Sequence, residues 1–385
     1  MKMGERTVVR LGDVCDIVSG TTPSSTKQEY WDGGLPWVTP AEISDDSHII
    51  TDTQRTLTEA GVLSKKLPLL PKGTVLLSSR APIGKVAIAG RDMYCNQGFK
   101  NLICSDAIFN EYLYCFLKSQ SERLQHMGHG ATFKELSKKT LADMMIPVPS
   151  LDMQHEIVST LEALSRLIAV SKQMLVKADE LIQSRFVEMF GDIQERTAVS
   201  HYVKSFSSGK SLASKEHCIN IVLKTSAVAS NVFDETQVKY LPFDYVPNPD
   251  HEIKHGDVII NRKNTIQLVG STGYVWQYPK NMYLSDLLWK ANLDETTCNP
   301  IFLWQLLVNR SVHRRISAMA TGANSSMVNI TKPNLMQLPV VLVPLALQNE
   351  FAEFVTQVES LKSATRQQLD RLNTLYDSLA QRYFA

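Results

Sequence analysis

Two short segments of the sequence carry residue types that could do chemistry, and their spacing decides whether they can. Residues 209–211 read Gly-Lys-Ser, the ending of a phosphate-binding loop, but position 204 is Lys where that loop requires Gly. Asp250, Glu252 and Lys254 have the residue types of a nuclease triad. One residue between the two acids is too few for separate strands to present them, so we interpret both segments as coincidences.

Two other kinds of site are also missing. Residues 248–250 read Asn-Pro-Asp, which is not the Asn-Pro-Pro-aromatic motif of amino-methyltransferases, and no Gly-rich cofactor loop accompanies them. The nine histidines lie apart in the sequence, without pairs at metal-ligand spacing backed by Cys or carboxylates. We therefore expect that the chain is not an enzyme and holds no metal and no cofactor. A fused methyltransferase or nuclease is the weakest alternative.

Composition sets the broad class of the protein. With 385 residues, 44% of them hydrophobic, the chain can bury two cores, and a formal net charge of +1 gives no global basic field. The sequence contains no apolar run of about eighteen residues and no apolar stretch near residues 1–6, so we expect neither a membrane span nor secretion. Its six cysteines show no CxxC spacing, which favours reduced thiols and a cytoplasmic protein.

The elements that would position binding residues occur twice in the sequence. Gln154 and Gln348 lie 194 residues apart, and each opens a run of about thirty residues without Gly or Pro. The same offset relates further pairs: Glu156 and Glu350, Leu181 and Leu375, Ser184 and Ser378, Phe190 and Phe384. The period is too long for a solenoid, so we interpret it as two copies of a globular domain followed by a long helix.

Apolar residues in both runs follow a heptad, which is the coiled-coil pattern. In the first run they are Ile157, Leu161, Leu164, Ile168, Leu175, Ala178, Ile182 and Met189, and in the second Phe351, Val355, Val358, Leu369, Leu372, Tyr376, Leu379 and Tyr383. Ser171 and Thr365 interrupt the two seams at the same register. We predict antiparallel helices over 150–190 and 345–384, on the order of 60 Å long. The alternative is that each helix lies on its own domain.

The globular parts repeat more faintly. Residues 72–99 and 255–288 each contain a turn with Gly, a β-rich strand, a polar loop and a second strand. A helical stretch follows in each copy, at 111–126 and 301–318, and then a glycine loop beginning at Gly130 or Gly322. The predicted fold class is therefore mixed α/β (α+β), with domains at 1–148 and 192–343 and spacer helices at 149–191 and 344–385.

This order of elements resembles the specificity subunit of a type I restriction–modification enzyme. The resemblance covers essentially the whole chain. It is carried by the Pro-x(3–4)-Gln-x-Glu opening of both helices and by strings typical of one target-recognition domain: Leu11-Gly12-Asp13, Leu35-Pro36-Trp37-Val38, residues 73–84 and Asn96-Gln97-Gly98-Phe99. The second domain departs more, because residues 199–238 lack the Leu-Pro-Trp stretch and Ser285-Asp286 replaces Asn-Gln.

The resemblance implies a division of labour. Each target-recognition domain would read one half of a split double-stranded DNA site, and the two antiparallel coiled-coil helices would space the domains in a pseudo-twofold repeat. The helices would also dock two methyltransferase (M) subunits. S-adenosylmethionine chemistry would belong to those partners, and ATP and Mg chemistry to the restriction (R) subunits of the full complex. The main alternative is a two-domain interaction scaffold that does not bind DNA.

Candidate binding residues follow from the loops and charge clusters. Base reading needs donors and acceptors on loops that can enter a groove. The candidates are Arg80, Lys85, Thr132 and Lys134 in the first domain, and Arg262, Lys263, Asn264, Asn324 and Ser325 in the second. Arg314 and Arg315 are candidate phosphate contacts, against the alternative of a solvated helix face. Because Arg80 lies in a shared string, it could instead brace the fold.

Four apolar residues of the long helices are candidate contacts for a partner protein. We expect the helices to expose more apolar surface than one intramolecular seam can cover. The residues selected on this argument are Phe186, Phe190, Phe354 and Leu361.

Overall fold

A computed structural model of the protein describes residues 7–44, 47–128, 134–322 and 327–385. Its internal contacts divide the chain into two compact units, which we call unit 1 (residues 1–172 and 367–385) and unit 2 (residues 173–366). Among the residues that the structure describes, no helix is both long and apolar enough to cross a membrane.

Unit 1 contains a five-stranded and a three-stranded sheet. Its strands are β1 (Thr7–Arg10), β2 (Cys15–Ser19), β3 (Trp31–Val38), β4 (Ile49–Ile50), β5 (Arg55–Leu57), β6 (Val75–Leu77), β7 (Val86–Ala89), β8 (Tyr94–Cys95), β9 (Lys100–Cys104) and β10 (Met145–Val148). The larger sheet has the order β2-β9-β6-β7-β4 and the smaller β5-β3-β8, while β1 pairs with β10. The β6 and β7 side chains are all buried, which places the centre of the larger sheet in the core.

The helices of unit 1 pack on both sheets. They are α1 (Leu11–Val14), α2 (Glu59–Ser64), α3 (Asn110–Ser119), α4 (Ser121–Met127), α5 (Lys138–Ala142) and the beginning of α6 (Leu151–Phe190). Of these, α3 packs against β6 and β7 of the larger sheet, and α2 packs against β3 and β5 of the smaller one. Two short 3₁₀ helices span Gln28–Tyr30 and Pro40–Glu42. The helical stretch predicted over 111–126 consists of two helices, because the chain turns at Gln120 between α3 and α4.

Unit 2 repeats this arrangement. Its strands are β11 (Arg196–Ala198), β12 (Val203–Ser207), β13 (Ile221–Leu223), β14 (Val238–Tyr240), β15 (Val258–Asn261), β16 (Lys263–Asn264), β17 (Thr272–Tyr274), β18 (Met282–Tyr283), β19 (Leu288–Leu293), β20 (Val328–Asn329) and β21 (Pro339–Val341). One sheet has the order β12-β19-β15-β17 and another β14-β13-β18, and two-stranded pairs join β11 to β21 and β16 to β20.

The helices of unit 2 also follow the order seen in unit 1. They are α7 (Pro300–Val308), α8 (Arg310–Ala318), α9 (Lys332–Met336) and α10 (Leu345–Phe384), the last of which ends in unit 1. Short 3₁₀ helices span Val199–His201, Thr225–Val228 and Pro249–His251. The helical stretch predicted over 301–318 also consists of two helices, because the side chain of Asn309 accepts a hydrogen bond from the amide of Ser311 and starts α8.

Strand pairing shows which residues are equivalent in the two smaller sheets. Trp37 of β3 lies beside Tyr94 of the parallel strand β8, and Val222 of β13 lies beside Tyr283 of the parallel strand β18. The Leu-Pro-Trp stretch that residues 199–238 lack is therefore replaced in space by Ile221–Leu223. The sequence hid this equivalence, because the two strands share a place in the sheet without sharing residue types.

Within each unit the two long helices pack antiparallel. In unit 2, Arg185 of α6 forms an ion pair with Glu350 of α10 at 3.1 Å, and Asp179 forms one with Lys362 at 2.6 Å. In unit 1, Ile157 and Leu161 of α6 share one buried hydrophobic cluster with Ala380 and Phe384 of α10. Every seam residue predicted from the heptad is buried or half-buried. The predicted fold class of mixed α/β domains with two long coiled-coil helices is confirmed.

A buried glutamine attaches each long helix to its own globular part. Gln154 is fully buried, accepts a hydrogen bond from the amide of Phe109 at 2.8 Å, and donates to the carbonyls of Ala107 and Pro149. This side chain satisfies three backbone groups just before α3 and at the start of α6. The repeated glutamine of the sequence is thus a structural brace.

Gln348 makes the same three bonds in unit 2. It accepts from the amide of Asn299 at 2.9 Å and donates to the carbonyls of Thr297 and Val343. The seam of α10 also holds a buried charge: Lys362 is only 3% exposed and bonds Glu359 as well as Asp179. These charges lie where the heptad predicted only apolar side chains and Thr365.

Candidate nucleic-acid interface

In unit 2, several loops converge where strand β15 ends. The buried side chain of Asn261, the last residue of β15, donates to the carbonyl of Thr225 at 3.2 Å. The amide of Arg262 donates a hydrogen bond to the carbonyl of Leu287. The carbonyl of Arg262 accepts a hydrogen bond from the amide of Ile330 at 3.0 Å. These bonds bring the residues after β13, before β19 and after β20 to one end of the sheet.

The predicted residues Arg262, Lys263 and Asn264 lie at this end. Arg262 is half-buried, and its Nε is buried without a hydrogen-bond partner. Within the described ranges, neither Arg262 nor Lys263 forms an ion pair. The Asn264 side-chain oxygen accepts from the amide of Thr265 at 2.8 Å, which leaves its amide hydrogens available. Two unpaired cations beside an amide suit contact with an anionic, hydrogen-bonding ligand.

A cavity of about 280 Å³ opens beside these residues. Its wall includes Lys224, Lys239, Ser285 and Leu287. The hydroxyl of Ser285 is buried without a hydrogen-bond partner among the described residues. Sequence reasoning missed Lys224 and Lys239, because finding them required matching Ile221–Leu223 to the Leu-Pro-Trp strand of the first domain.

In unit 1 the equivalent end of β6 is held by the same backbone bonds. The amide of Ser79 donates to Gly98, and the carbonyl of Ser79 accepts from Leu136 at 2.8 Å. Ser79 therefore occupies the place of Arg262, and Arg80 occupies the place of Lys263. Arg80, unlike Lys263, has an ion-pair partner, since its Nε lies 3.1 Å from Glu135.

The environment of Glu135 explains how Arg80 is held. Burial acts to raise the pKa of the Glu135 carboxyl, but hydrogen bonds and charge from Lys100 and Arg80 outweigh it and lower the pKa. The carboxylate is thus ionised at neutral pH and shared between the two cations. The alternative that Arg80 braces the fold has direct support in this contact. Its assignment to base reading stays a prediction.

The remaining candidates of unit 1 differ in exposure. Lys85 is half-buried, and its Nζ donates to the carbonyl of Ile43 at 2.6 Å, so it fixes a loop. Lys134 is exposed. Thr132, Asn324 and Ser325 lie outside the described residues, and their roles stay predictions.

The two arginines of α8 are placed differently. Arg314 is exposed and has no ion-pair partner within the described part of the chain. Arg315 donates from Nη1 to the carbonyl of Pro339 and from Nε to that of Ser311. Arg314 is therefore the freer of the two to meet a phosphate, while Arg315 also holds the end of α8 against β21.

The structure brings one histidine, His48, beside carboxylates that lie far from it in the sequence. Its Nε2 lies 2.6 Å from Glu111, and the hydrogen bond to Glu111 raises the pKa of the imidazole. A carboxylate oxygen of Glu162 completes a group whose atoms lie within 4.8 Å of one another. Glu162 is also paired with Arg166 at 2.8 Å. Sequence separations of 63 and 51 residues hid this cluster of ion pairs.

The four candidate partner contacts on the long helices differ in how exposed their side chains are. The prediction that Phe186 and Phe190 are exposed is wrong: they are 7% and 3% exposed and pack with Phe302 and Phe351 in the core of unit 2. Phe354 is half-buried. Leu361 is 68% exposed, as expected for an apolar side chain outside the seam.

Other apolar side chains of α6 are also exposed. In unit 1 they include Leu167 and Val170, and in unit 2 they include Met174 and Leu181. Leu167, Val170, Met174 and Leu181 follow heptad spacing along α6, at positions outside the predicted seam.

Comparison with known proteins relates residues 3–178 to a described family. Residues 3–178 match the family described as "Type I restriction modification DNA specificity domain". The chain is 39% identical over 186 residues to the specificity subunit of the type I restriction enzyme MjaIX from Methanocaldococcus jannaschii, an alignment that covers 48% of this chain and 42% of that protein. The chain is therefore similar to type I restriction–modification specificity subunits, and the family match itself covers residues 3–178.

Longer alignments to this family are weaker in identity. The chain spans less than half the length of the MjaIX specificity subunit. It is 23% identical over 391 residues to the MjaVIII specificity subunit of the same organism, covering 95% of this chain and 88% of that one. The crystal structure of a type I restriction–modification S subunit from M. genitalium aligns with a TM-score of 0.59 at 14% identity, over 100% of this chain and 98% of that one. This last likeness supports the specificity-subunit fold over the whole chain.

Proposed function

We propose that the chain is the DNA-reading subunit of a type I restriction–modification enzyme, and that each unit contacts one half of a bipartite DNA site. One observation carries the proposal. In both units the same pair of backbone bonds, at Ser79 and at Arg262, brings polar and cationic loops to the end of the central strand. A single face with free cations is sufficient to meet phosphates even at near-zero net charge.

We infer that this subunit is not catalytic and that its partners supply the chemistry. In this scheme the regions 1–148 and 192–343 read DNA, and the regions 149–191 and 344–385 space them and dock two methyltransferase subunits. S-adenosylmethionine would be bound by those subunits, and ATP and Mg would serve the restriction subunits of the full complex. The scheme is supported by the family and by the absence of catalytic motifs in the sequence.

The charges divide between two roles within the interface. Long exposed cations such as Arg314 and Lys134 suit phosphates, which position the protein without reading sequence. Lys263 and Asn264 lie on a short strand that can present donors to base edges. We therefore assign base reading in unit 2 to the β16 segment together with the predicted Asn324 and Ser325.

A double variant tests the assignment of one half-site to each unit. Replacing Lys263 and Asn264 together by alanine is expected to relax recognition of one half-site and to leave the other intact. Each lost base contact costs about 1–3 kcal/mol of discrimination. The measurement is methylation of a library of split sites by the complete enzyme, with sequencing of the modified products.

The matched control is Lys254→Gln, because Lys254 is exposed and lies before β15, at the opposite end of that strand. Loss of discrimination in both half-sites would contradict the assignment. A shift assay with random-sequence DNA over a salt series, with the methyltransferase present, tests the scaffold alternative. A wild-type complex that binds no DNA at any salt concentration would favour the scaffold and overturn the proposed function.

We infer that the exposed apolar residues of the long helices dock the methyltransferase. Leu361→Asp is expected to weaken binding of that partner at least tenfold, or about 1.4 kcal/mol, because a charge would enter an apolar contact. Titration calorimetry of the purified chain with its methyltransferase measures the change. Ser363→Asp adds the same charge at an exposed polar position of α10 and is the control. Equal affinities of wild type and Leu361→Asp would exclude this part of α10 from the docking surface.

A further inference from the structure

Each smaller sheet carries a cation at the same position of its edge strand. In unit 1, Trp37 of β3 lies opposite Arg55 of the antiparallel strand β5. In unit 2, Val222 of β13 lies opposite Lys239 of the antiparallel strand β14. Trp37 and Val222 occupy equivalent sheet positions, because each lies beside a tyrosine of the parallel neighbouring strand. Their antiparallel partners, Arg55 and Lys239, therefore occupy equivalent positions as well. The two domains thus place a positive charge identically, although the sequences around the two cations differ.

Among the described residues, neither cation has an ion-pair or hydrogen-bond partner for its side chain. Arg55 and Lys239 are both exposed. The guanidinium of Arg55 lies over the ring of Trp31, with its central carbon 3.5 Å from the ring centroid. Stacking fixes the plane of the guanidinium and leaves the N–H groups at its edge free to donate.

In unit 2 the surroundings of Lys239 fit an anion. Lys239 lines the cavity of about 280 Å³ together with Lys224 and Ser285. Ser285 is 2% exposed, and its hydroxyl has no hydrogen-bond partner in the described part of the chain. None of the described residues lining the cavity is acidic, although Asp286 accepts a hydrogen bond from the lining residue Ser211. Two ammonium groups and an unused hydroxyl offer donors and positive charge to one ligand.

Both cations adjoin the candidate interface. Leu287 is part of the cavity wall, and its carbonyl accepts from the amide of Arg262 at 3.2 Å, which links the cavity to the end of β15. In unit 1, Nε1 of Trp37 donates a hydrogen bond to the carbonyl of Thr21. The hydroxyl of the next residue, Thr22, forms a hydrogen bond with the side chain of Gln97. Gln97 is followed by Gly98, whose carbonyl accepts a hydrogen bond from the amide of Ser79 at the end of β6.

We propose that Arg55 in unit 1 and Lys239 in unit 2 each bind a backbone phosphate of the DNA, at equivalent places beside the two half-sites. This rests on the proposed DNA-reading function. A long cation on an edge strand, without hydrogen-bonded support, meets a phosphodiester rather than a particular base edge. In unit 2, Lys224 and the hydroxyl of Ser285 complete the phosphate site, and in unit 1 the face of Trp31 holds the arginine in place.

The test uses the full chain assembled with its methyltransferase partner. The variants are Arg55→Gln, Lys239→Gln and the double variant, and binding is measured on a cognate split site and on random DNA over a salt series. Each single variant is expected to weaken both complexes by a similar factor of about ten. It should also reduce the slope of log affinity against log salt by about 0.9, and the double variant by about twice that.

Matched controls come from the opposite ends of the central strands. Lys72→Gln in unit 1 and Lys254→Gln in unit 2 remove an exposed lysine just before β6 and β15, and should leave the slope unchanged. Unfolding midpoints equal to wild type show that the variants fold. An unchanged salt slope in Arg55→Gln or Lys239→Gln would overturn the proposal. So would a loss of discrimination at unchanged slope, which indicates a base contact.

A separate measurement distinguishes a DNA phosphate from a free anion. Inorganic phosphate is titrated into the wild-type complex and the Lys239→Gln complex, and thermal stabilisation is recorded. Stabilisation that depends on Lys239, combined with an unchanged DNA salt slope, would assign the cavity to a free anion and overturn the proposal. Failure of the proposed function has a different signature, because the wild-type complex itself would then show no salt-dependent DNA binding.

Discussion

Replacing Val355 by aspartate is expected to lower the free energy of unfolding by about 3–5 kcal/mol, because it buries a carboxylate without a partner. Val355 is fully buried in the seam of α10 and belongs to the core of unit 2 with Phe351. The next turn of the helix carries the buried side chain of Glu359, which is bonded to Lys362. That lysine is therefore already engaged, and the new carboxylate finds no free cation beside it.

The control for this variant is Leu361→Asp on the same helix, where the side chain is largely exposed. Urea unfolding of both variants, followed by circular dichroism and tryptophan fluorescence, measures the difference. A Val355→Asp protein as stable as Leu361→Asp would contradict the antiparallel seam. The same pair of variants separates folding from docking, since we expect only Leu361→Asp to lose partner affinity while keeping its stability.

Removing either brace glutamine is the second change with a large expected effect. Gln348→Ala leaves the amide of Asn299 and the carbonyls of Thr297 and Val343 without their partner. Each buried backbone group that loses its hydrogen bond costs about 1–3 kcal/mol, so the loss of three is expected to cost about 3–9 kcal/mol. Gln154→Ala should destabilise unit 1 by a similar amount, for the same reason.

Gln357→Ala is the matched control, since Gln357 is exposed on α10 and lies nine residues after Gln348. Hydrogen exchange read by mass spectrometry locates each effect. Faster exchange is expected around 107–110 in Gln154→Ala and around 297–301 in Gln348→Ala. Unchanged exchange at these segments would show that water replaces the glutamine and that the brace contributes little.

The sequence was sufficient to predict the long helices and their seam. A heptad is recognisable from the local sequence alone, because apolar residues must recur every three or four positions to stay on one face of the helix. For that reason residues as far apart as Ile157 and Tyr383 were assigned correctly to buried or half-buried positions. The paired glutamines were visible as a constant offset, although their hydrogen bonds were not.

The remaining features depend on contacts between distant parts of the chain. Phe186 and Phe190 have the helical spacing of an exposed face, but the globular part of unit 2 covers them with Phe302. Arg80 pairs with Glu135, which follows it by 55 residues. No local pattern records which loop will lie beside which, so the neutralised Arg80 and the free Lys239 could not be told apart from the sequence.

The buried ammonium of Lys362 restricts how the length of α10 can change. An added residue turns everything beyond it by about 100°, which would carry the ammonium away from Asp179 while Glu359 kept its own place. An insertion of seven residues restores the face to within about 20°, but it also moves the ammonium about 10.5 Å along the helix axis. Lys362 would then no longer reach Asp179 and Glu359 together, since Glu359 lies three residues before it. The buried charge therefore fixes the register of this segment of α10 against α6, and an insertion of any length between Glu359 and Lys362 is expected to break the pairs.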